Sequence, residues 1–173
     1  YVLYIMVPIL YVFLILGIFS LQEPGLTTFE LVGRIFSIGL AMVAAGINIG
    51  HELGHRSTWY EQLMSKALYL PSLQIHFFIE HNKGHHKNVA TPQDPSSARI
   101  NEPVYTFYFR TIIFSYLSAW KIANDEMRKK GLSIFNIKNE MVQAHFIQLL
   151  FLAMILFIFN WPVTLYFLCA AAI

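Results

Sequence analysis

Charge is what this sequence has least of. Only 13% of its 173 residues are Asp, Glu, Lys or Arg, about half the share of an ordinary soluble domain. A chain so poor in charge cannot cover a water-facing surface. Disorder and a nucleic-acid-binding tail both need a polar, charged chain, so this composition excludes both, while the net charge of +2 by itself decides nothing. Cysteine is almost absent as well. The single Cys169 excludes a disulfide framework and any multi-thiolate metal site. There is no internal repeat and no low-complexity segment. Apolar residues fill the space instead: 56% are hydrophobic and the mean hydropathy is +0.51, which puts lipid contact first among the classes. The first residue is Tyr1 and an apolar run is still in progress at Ile173, so the chain reads as an internal piece of a longer protein. No signal peptide can be assigned on it.

The apolar runs predict an all-α integral membrane bundle. Val2 to Leu21 is uncharged and about the length that crosses roughly 30 Å of hydrocarbon. Gln22-Glu23-Pro24-Gly25 is a turn signal, and Phe29 to Gly50 fits a return crossing. Met141 to Asn160 is a third crossing, broken by Trp161-Pro162, and Val163 to Ile173 begins a fourth. Of the 12 Lys and Arg, 11 lie between Arg56 and Lys138. The positive-inside bias therefore makes that central region cytoplasmic. Too few residues separate His55 from His81 for two crossings, which need about 40. Residues 63–79 and the helix Val104–Trp120, which contains Arg110, are expected to lie along or dip into the interface, a true spanning helix being the other reading of Val104–Trp120.

Six of the 7 histidines do not scatter. His51-Glu52-Leu53-Gly54-His55 stacks two imidazoles at i and i+4 where the second helix emerges, able to hold one metal. Alone, this is the zinc-peptidase motif with Glu52 as general base. Glu80-His81-Asn82-Lys83-Gly84-His85-His86 adds three more imidazoles. On an α-helix His81 and His85 share a face and His86 is turned about 100° away. Neighbouring imidazoles that diverge suit two metals, whereas a zinc peptidase needs only one further ligand. The five candidate ligands are thus His51, His55, His81, His85 and His86. Imidazole alone does not name the metal. Asn48, Glu52, His76, Glu80 and Asp94 stand close enough in sequence to brace the ligands. For His76 a place in the core is the other reading, and His145 reads as a packing residue. Counting back from His51, the small Ala44 and Ala41 leave room for either a substrate channel or close helix packing.

His51–Arg56, Glu80–His86 and the stretch Val89-Ala90-Thr91-Pro92-Gln93-Asp94-Pro95-Ser96-Ser97-Ala98-Arg99 together resemble the membrane alkane 1-monooxygenases (alkane omega-hydroxylases) of the fatty acid desaturase/hydroxylase superfamily. The resemblance is densest over 46–103. It implies a non-haem centre of two iron ions, O2 as oxidant, an alkane taken from the bilayer, rubredoxin as electron donor and the bacterial inner membrane as location. It also implies that residues 1–173 are a partial desaturase-like domain, lacking N-terminal helices and a further histidine box downstream. The competing readings are a lipid desaturase or xylene-type hydroxylase on the same metals, a membrane zinc metalloprotease, and a His-rich metal-binding module without catalysis.

Overall fold

The computed structural model describes residues 2–173 and is all-helical over them. Seven helices follow one another: α1 (Val2–Ser20), α2 (Thr28–Gly54), α3 (Trp59–Tyr69), α4 (75–88), α5 (Val104–Lys129), α6 (Glu140–Phe159) and α7 (Trp161–Ala171). Among the described residues, α1, α2 and α6 are long and apolar enough to cross a membrane. Their outward faces carry Ile9, Val12, Phe13, Leu16, Leu40, Leu149 and Phe157, all exposed, which only lipid would cover cheaply. The chain is a membrane protein by that test. Its residues fall into two compact units, one of residues up to Gln74 with Gln148–Ile173, the other Ile75–Ile147.

In the first unit the turn after α1 leads into a capping box. The Thr27 hydroxyl accepts from the Glu30 N–H while the Glu30 carboxylate accepts from the Thr27 N–H, satisfying two of the donors that a helix start leaves open. Leu14, Ile18, Ile38, Met42, Phe151, Ile155, Val163 and Phe167 form its main core. Between lipid-facing helices such contacts act by close packing rather than by escape from water. Small residues set how close α3 comes to α2. A Cβ on Gly46 would stand 2.9 Å from the Leu68 carbonyl oxygen and one on Gly50 3.0 Å from the Tyr69 ring. The buried Ser65 hydroxyl donates to the Gly50 carbonyl at 2.6 Å, a contact worth about 0.6 kcal/mol between membrane helices. The helix end just before His51 is therefore clamped.

In the second unit Ile79, Ala119, Ala123 and Met141 pack α4, α5 and the start of α6 together. The Lys83 ammonium bridges the carboxylates of Glu126 (2.9 Å) and Glu140 (3.1 Å). Arg110 ties the loop before α5 down: its guanidinium donates to both oxygens of Glu102 and to the carbonyls of Pro95 and Ser97. α5 runs to Lys129, well past the Val104–Trp120 that hydropathy outlines, and Gly131 with φ +67° follows its end.

One π turn precedes the first histidine group and another holds the second. Residues Met42–Ile47 of α2 and His81–His85 of α4 are wound with i→i+5 bonds, a form that occurs mostly as single turns inserted into α-helices, frequently at functional sites.

Candidate metal centre

In the first unit the last turn of α2 carries His51 and His55 one α turn apart. Their Nε2 atoms lie 3.0 Å from each other, with ring centroids 4.4 Å apart and planes at 87°. Two imidazole nitrogens facing at that distance either share one proton or aim both lone pairs at one cation. Glu52 lies on the exposed side and pairs with Arg56 at 2.9 Å. Asn48 sits one turn before His51 and is exposed.

In the second unit the π turn changes which histidines meet. The His86 N–H bonds to the His81 carbonyl, five residues back. Residues i and i+5 therefore align, and the His81 and His86 Nε2 atoms come to 3.0 Å. The pairing of His81 with His85 expected from an α-helix becomes a ring stack instead, at 5.2 Å and 22°. Phe77 stacks on the other side of this arrangement, 4.9 Å from the His81 ring.

His85 turns to Asp94. Its Nδ1 lies 2.8 Å from Asp94 Oδ2, so Nδ1 carries a proton and Nε2 is the nitrogen left facing away from the carboxylate. This is the way ligand histidines are usually held. Asp94 is buried, which pushes its pKa up. Hydrogen bonds from the Ser97 hydroxyl (2.5 Å), the Ser96 N–H (2.9 Å) and His85 outweigh that and hold the carboxyl below its ordinary value. The loop 94–97 is thus built around an anion facing His85.

The chemistry of the donor set fits a divalent transition metal. Within each unit a histidine pair, His51 with His55 in the first and His81 with His86 in the second, offers ring nitrogens that could hold an ion, and imidazole suits iron, copper, nickel and zinc alike. The comparison with known proteins narrows the choice of protein, if not of metal. A family model described as fatty acid desaturase matches residues 28–173. The chain belongs to the fatty acid desaturase family. It is similar to alkane 1-monooxygenase 1 of Alcanivorax borkumensis, 36% identical over 95% of this chain and 40% of that protein. The alkane 1-monooxygenases of Ectopseudomonas oleovorans and Pseudomonas putida are 34% and 35% identical over 95% of this chain, and 41% and 40% of their own length. The chain thus spans about 40% of the curated relatives it matches.

The remaining candidates in this desaturase-family chain have distinct surroundings. Glu80 is fully buried, and its two carboxyl oxygens make no well-formed hydrogen bond among the described residues, the Ser118 side chain standing near enough only to favour the charged form in part. Burial, with the Asp94 charge added, pushes its pKa up. Gly84 makes room for it, since a Cβ there would stand 2.8 Å from Glu80 Oε1. His76 lies edge-on to Tyr116 at 5.3 Å; burial, with the nearby His145, lowers its pKa to about 4, and the ring is neutral. His145 has both nitrogens occupied: Nδ1–H donates to the Met141 carbonyl (2.7 Å) and Nε2 accepts from the Tyr116 hydroxyl (2.8 Å). Tyr116, the hub of this group, stands in an apolar run where no sequence signal marks it. The Asn48 N–H bonds to the Val43 carbonyl through the π turn, so Val43 takes the place one turn below Asn48. Ala44 is exposed beside it and Ala41 half-buried.

Proposed function

We propose that these residues are part of a membrane alkane 1-monooxygenase that hydroxylates the terminal methyl of medium- or long-chain alkanes with O2 and electrons from rubredoxin. The observation that carries the reading is the coincidence of two things. Each histidine group comes ready-paired, with Nε2 atoms 3.0 Å apart, and the relatives that match 95% of the chain are named for alkane oxidation. On this reading His51, His55, His81, His85 and His86 hold two non-haem irons, and the missing ligands come from a histidine box in a part of the protein beyond these residues. Residues 1–173 are then one portion of a desaturase-like domain in the bacterial inner membrane, with the metal site on the cytoplasmic side.

An alkane has no polar handle, so acid–base and nucleophilic side chains cannot act on it. Bound, the two irons supply the dioxygen-dependent oxidation of a C–H bond. The protein's own part is to hold lone pairs and to exclude water. Asp94 fixes the tautomer of His85; Asn48, Glu52 and Glu80 adjoin the ligand-bearing turns along the chain, and His76 lies against Tyr116. An alkane leaving the bilayer gains little from burial, because lipid tails are as apolar as any pocket. Chain-length choice must then come from shape, and the exposed Ala44, with Ala41 below it, leaves room for an alkyl chain along α2.

The test is iron content and product analysis of the full-length protein with an n-alkane and reduced rubredoxin. Two irons per chain and a primary alcohol are expected. Alanine at any of the five histidines should abolish the alcohol and lower bound iron, while His145→Ala leaves most iron in place. One zinc per chain with peptide hydrolysis, or near-normal hydroxylation by a ligand variant, would overturn the assignment.

A further inference from the structure

Beside α5, wholly within the unit 75–147, lies a cleft of 620 Å³. Lys83, Lys87, Arg99, Arg110 and Lys121 bring five cations to its lining and Asp125 one carboxylate. Two of the cations are already neutralised, Lys83 by Glu126 and Glu140, and Arg110 by Glu102. Asp125 stands 3.8 Å from Arg128. Lys87, Arg99 and Lys121 form no ion pair among the described residues. The cleft therefore holds an excess of positive charge that the protein does not itself answer.

Its apolar lining, Phe114, Leu117 and Ile122, does not end at the cleft. Tyr105, Tyr108, Phe109, Ile112, Ile113 and Leu117 are all exposed on α5. They recur at helical spacing, and the stripe arrives one turn after Leu117 at Lys121. A ligand that answers both features must be anionic at one end and a long hydrocarbon at the other. An alkane leaves the cations bare, and a free anion leaves the stripe bare.

We propose that this cleft binds the phosphate of an anionic phospholipid whose acyl chains lie along the exposed stripe of α5. Lys87, Arg99 and Lys121 surround the headgroup, and α5 lies at the level of the interface. Basic residues at a membrane surface each strengthen anionic-lipid binding about fivefold, so three together give a preference of about a hundredfold over a zwitterionic lipid.

The experiment uses the full-length protein in detergent, titrated separately with short-chain phosphatidylglycerol, short-chain phosphatidylcholine and inorganic phosphate while its thermal midpoint is followed. A ligand that binds only the folded state raises the midpoint with concentration. Phosphatidylglycerol is expected to raise it at concentrations about a hundredfold below those phosphatidylcholine requires, with inorganic phosphate inert. The Lys87→Gln/Arg99→Gln/Lys121→Gln variant should lose that preference while keeping its lipid-free midpoint and its iron. Equal effects of the two lipids, or an unchanged preference in the variant, would overturn the site. Equal stabilisation by inorganic phosphate would overturn the lipid and leave an anion site. A variant that loses its midpoint without lipid would show the three cations to be structural, against the proposal.

Discussion

Asp94 determines which nitrogen of His85 is on offer. With Nδ1–H held at 2.8 Å, the ring can present only Nε2 outward, and the Ser96 and Ser97 bonds keep the carboxylate from turning away. Replacing such a partner typically costs 10–100-fold in metal affinity. Asp94→Asn in the full-length protein is therefore expected to weaken iron binding by about that factor with the fold intact. A titration showing unchanged iron affinity would remove Asp94 from the site. The sequence marks both residues as candidates but not their contact, because their meeting depends on the loop path from Val89 to Pro95. Ala90 turns there with φ +62°, and no periodicity reports such a turn. His145 shows the opposite case. Its isolation in an apolar run already reads as packing, and the structure supplies the partner, Tyr116.

At the scale of the element, hydropathy finds helices well and their winding poorly. The crossings read from apolar runs coincide with α1, α2 and α6 to within a few residues, because the length that hydrocarbon demands is itself the signal. α5 outruns its apolar stretch because Lys, Glu and Met are good helix formers on a face that needs no lipid. The π turns leave no mark on hydropathy at all. Residue counting at 3.6 per turn puts His81 with His85, and the i→i+5 turn puts it with His86. Gly84 sits inside that turn, where an added Cβ would meet Glu80 Oε1 at 2.8 Å and Ile122 Cδ1 at 3.0 Å. Glu80 is fully buried and has little space to retreat. Gly84→Ala is expected to cost about 1–3 kcal/mol by overpacking and to lower retained iron. Gly33→Ala, with nothing within 4 Å of the new Cβ, should be neutral or slightly stabilising by helix propensity, at most about 1 kcal/mol. Equal thermal midpoints for the two variants would show that the turn at 81–85 tolerates a side chain.

At the scale of the whole molecule the open quantity is orientation, and charge decides it. Eleven of the 12 Lys and Arg fall between Arg56 and Lys138. The remaining one, Arg34, pairs with Glu23 at 2.6 Å and donates to the Ser20 carbonyl. It is therefore answered locally, at the far end of α2 from His51. Acids weigh little in the positive-inside bias, so Asp125 and Glu126 do not cancel Lys121, Arg128, Lys129, Lys130 and Lys138 around the segment that joins α5 to α6. The α5–α6 segment is expected on the cytoplasmic side. Ser133 is exposed within it, and its hydroxyl makes only a 3.3 Å contact with the Phe135 N–H, so a Ser133→Cys variant of the full-length protein should fold. The introduced thiol should react with an impermeant maleimide only after the inner membrane is opened, whereas Cys169, in the apolar α7, serves as the slow-reacting comparison. Labelling of the Ser133→Cys variant at its new thiol in intact spheroplasts would turn the molecule over. The proposed electron donor, rubredoxin, requires the histidine groups on the cytoplasmic side, so that proposal would fall with the topology.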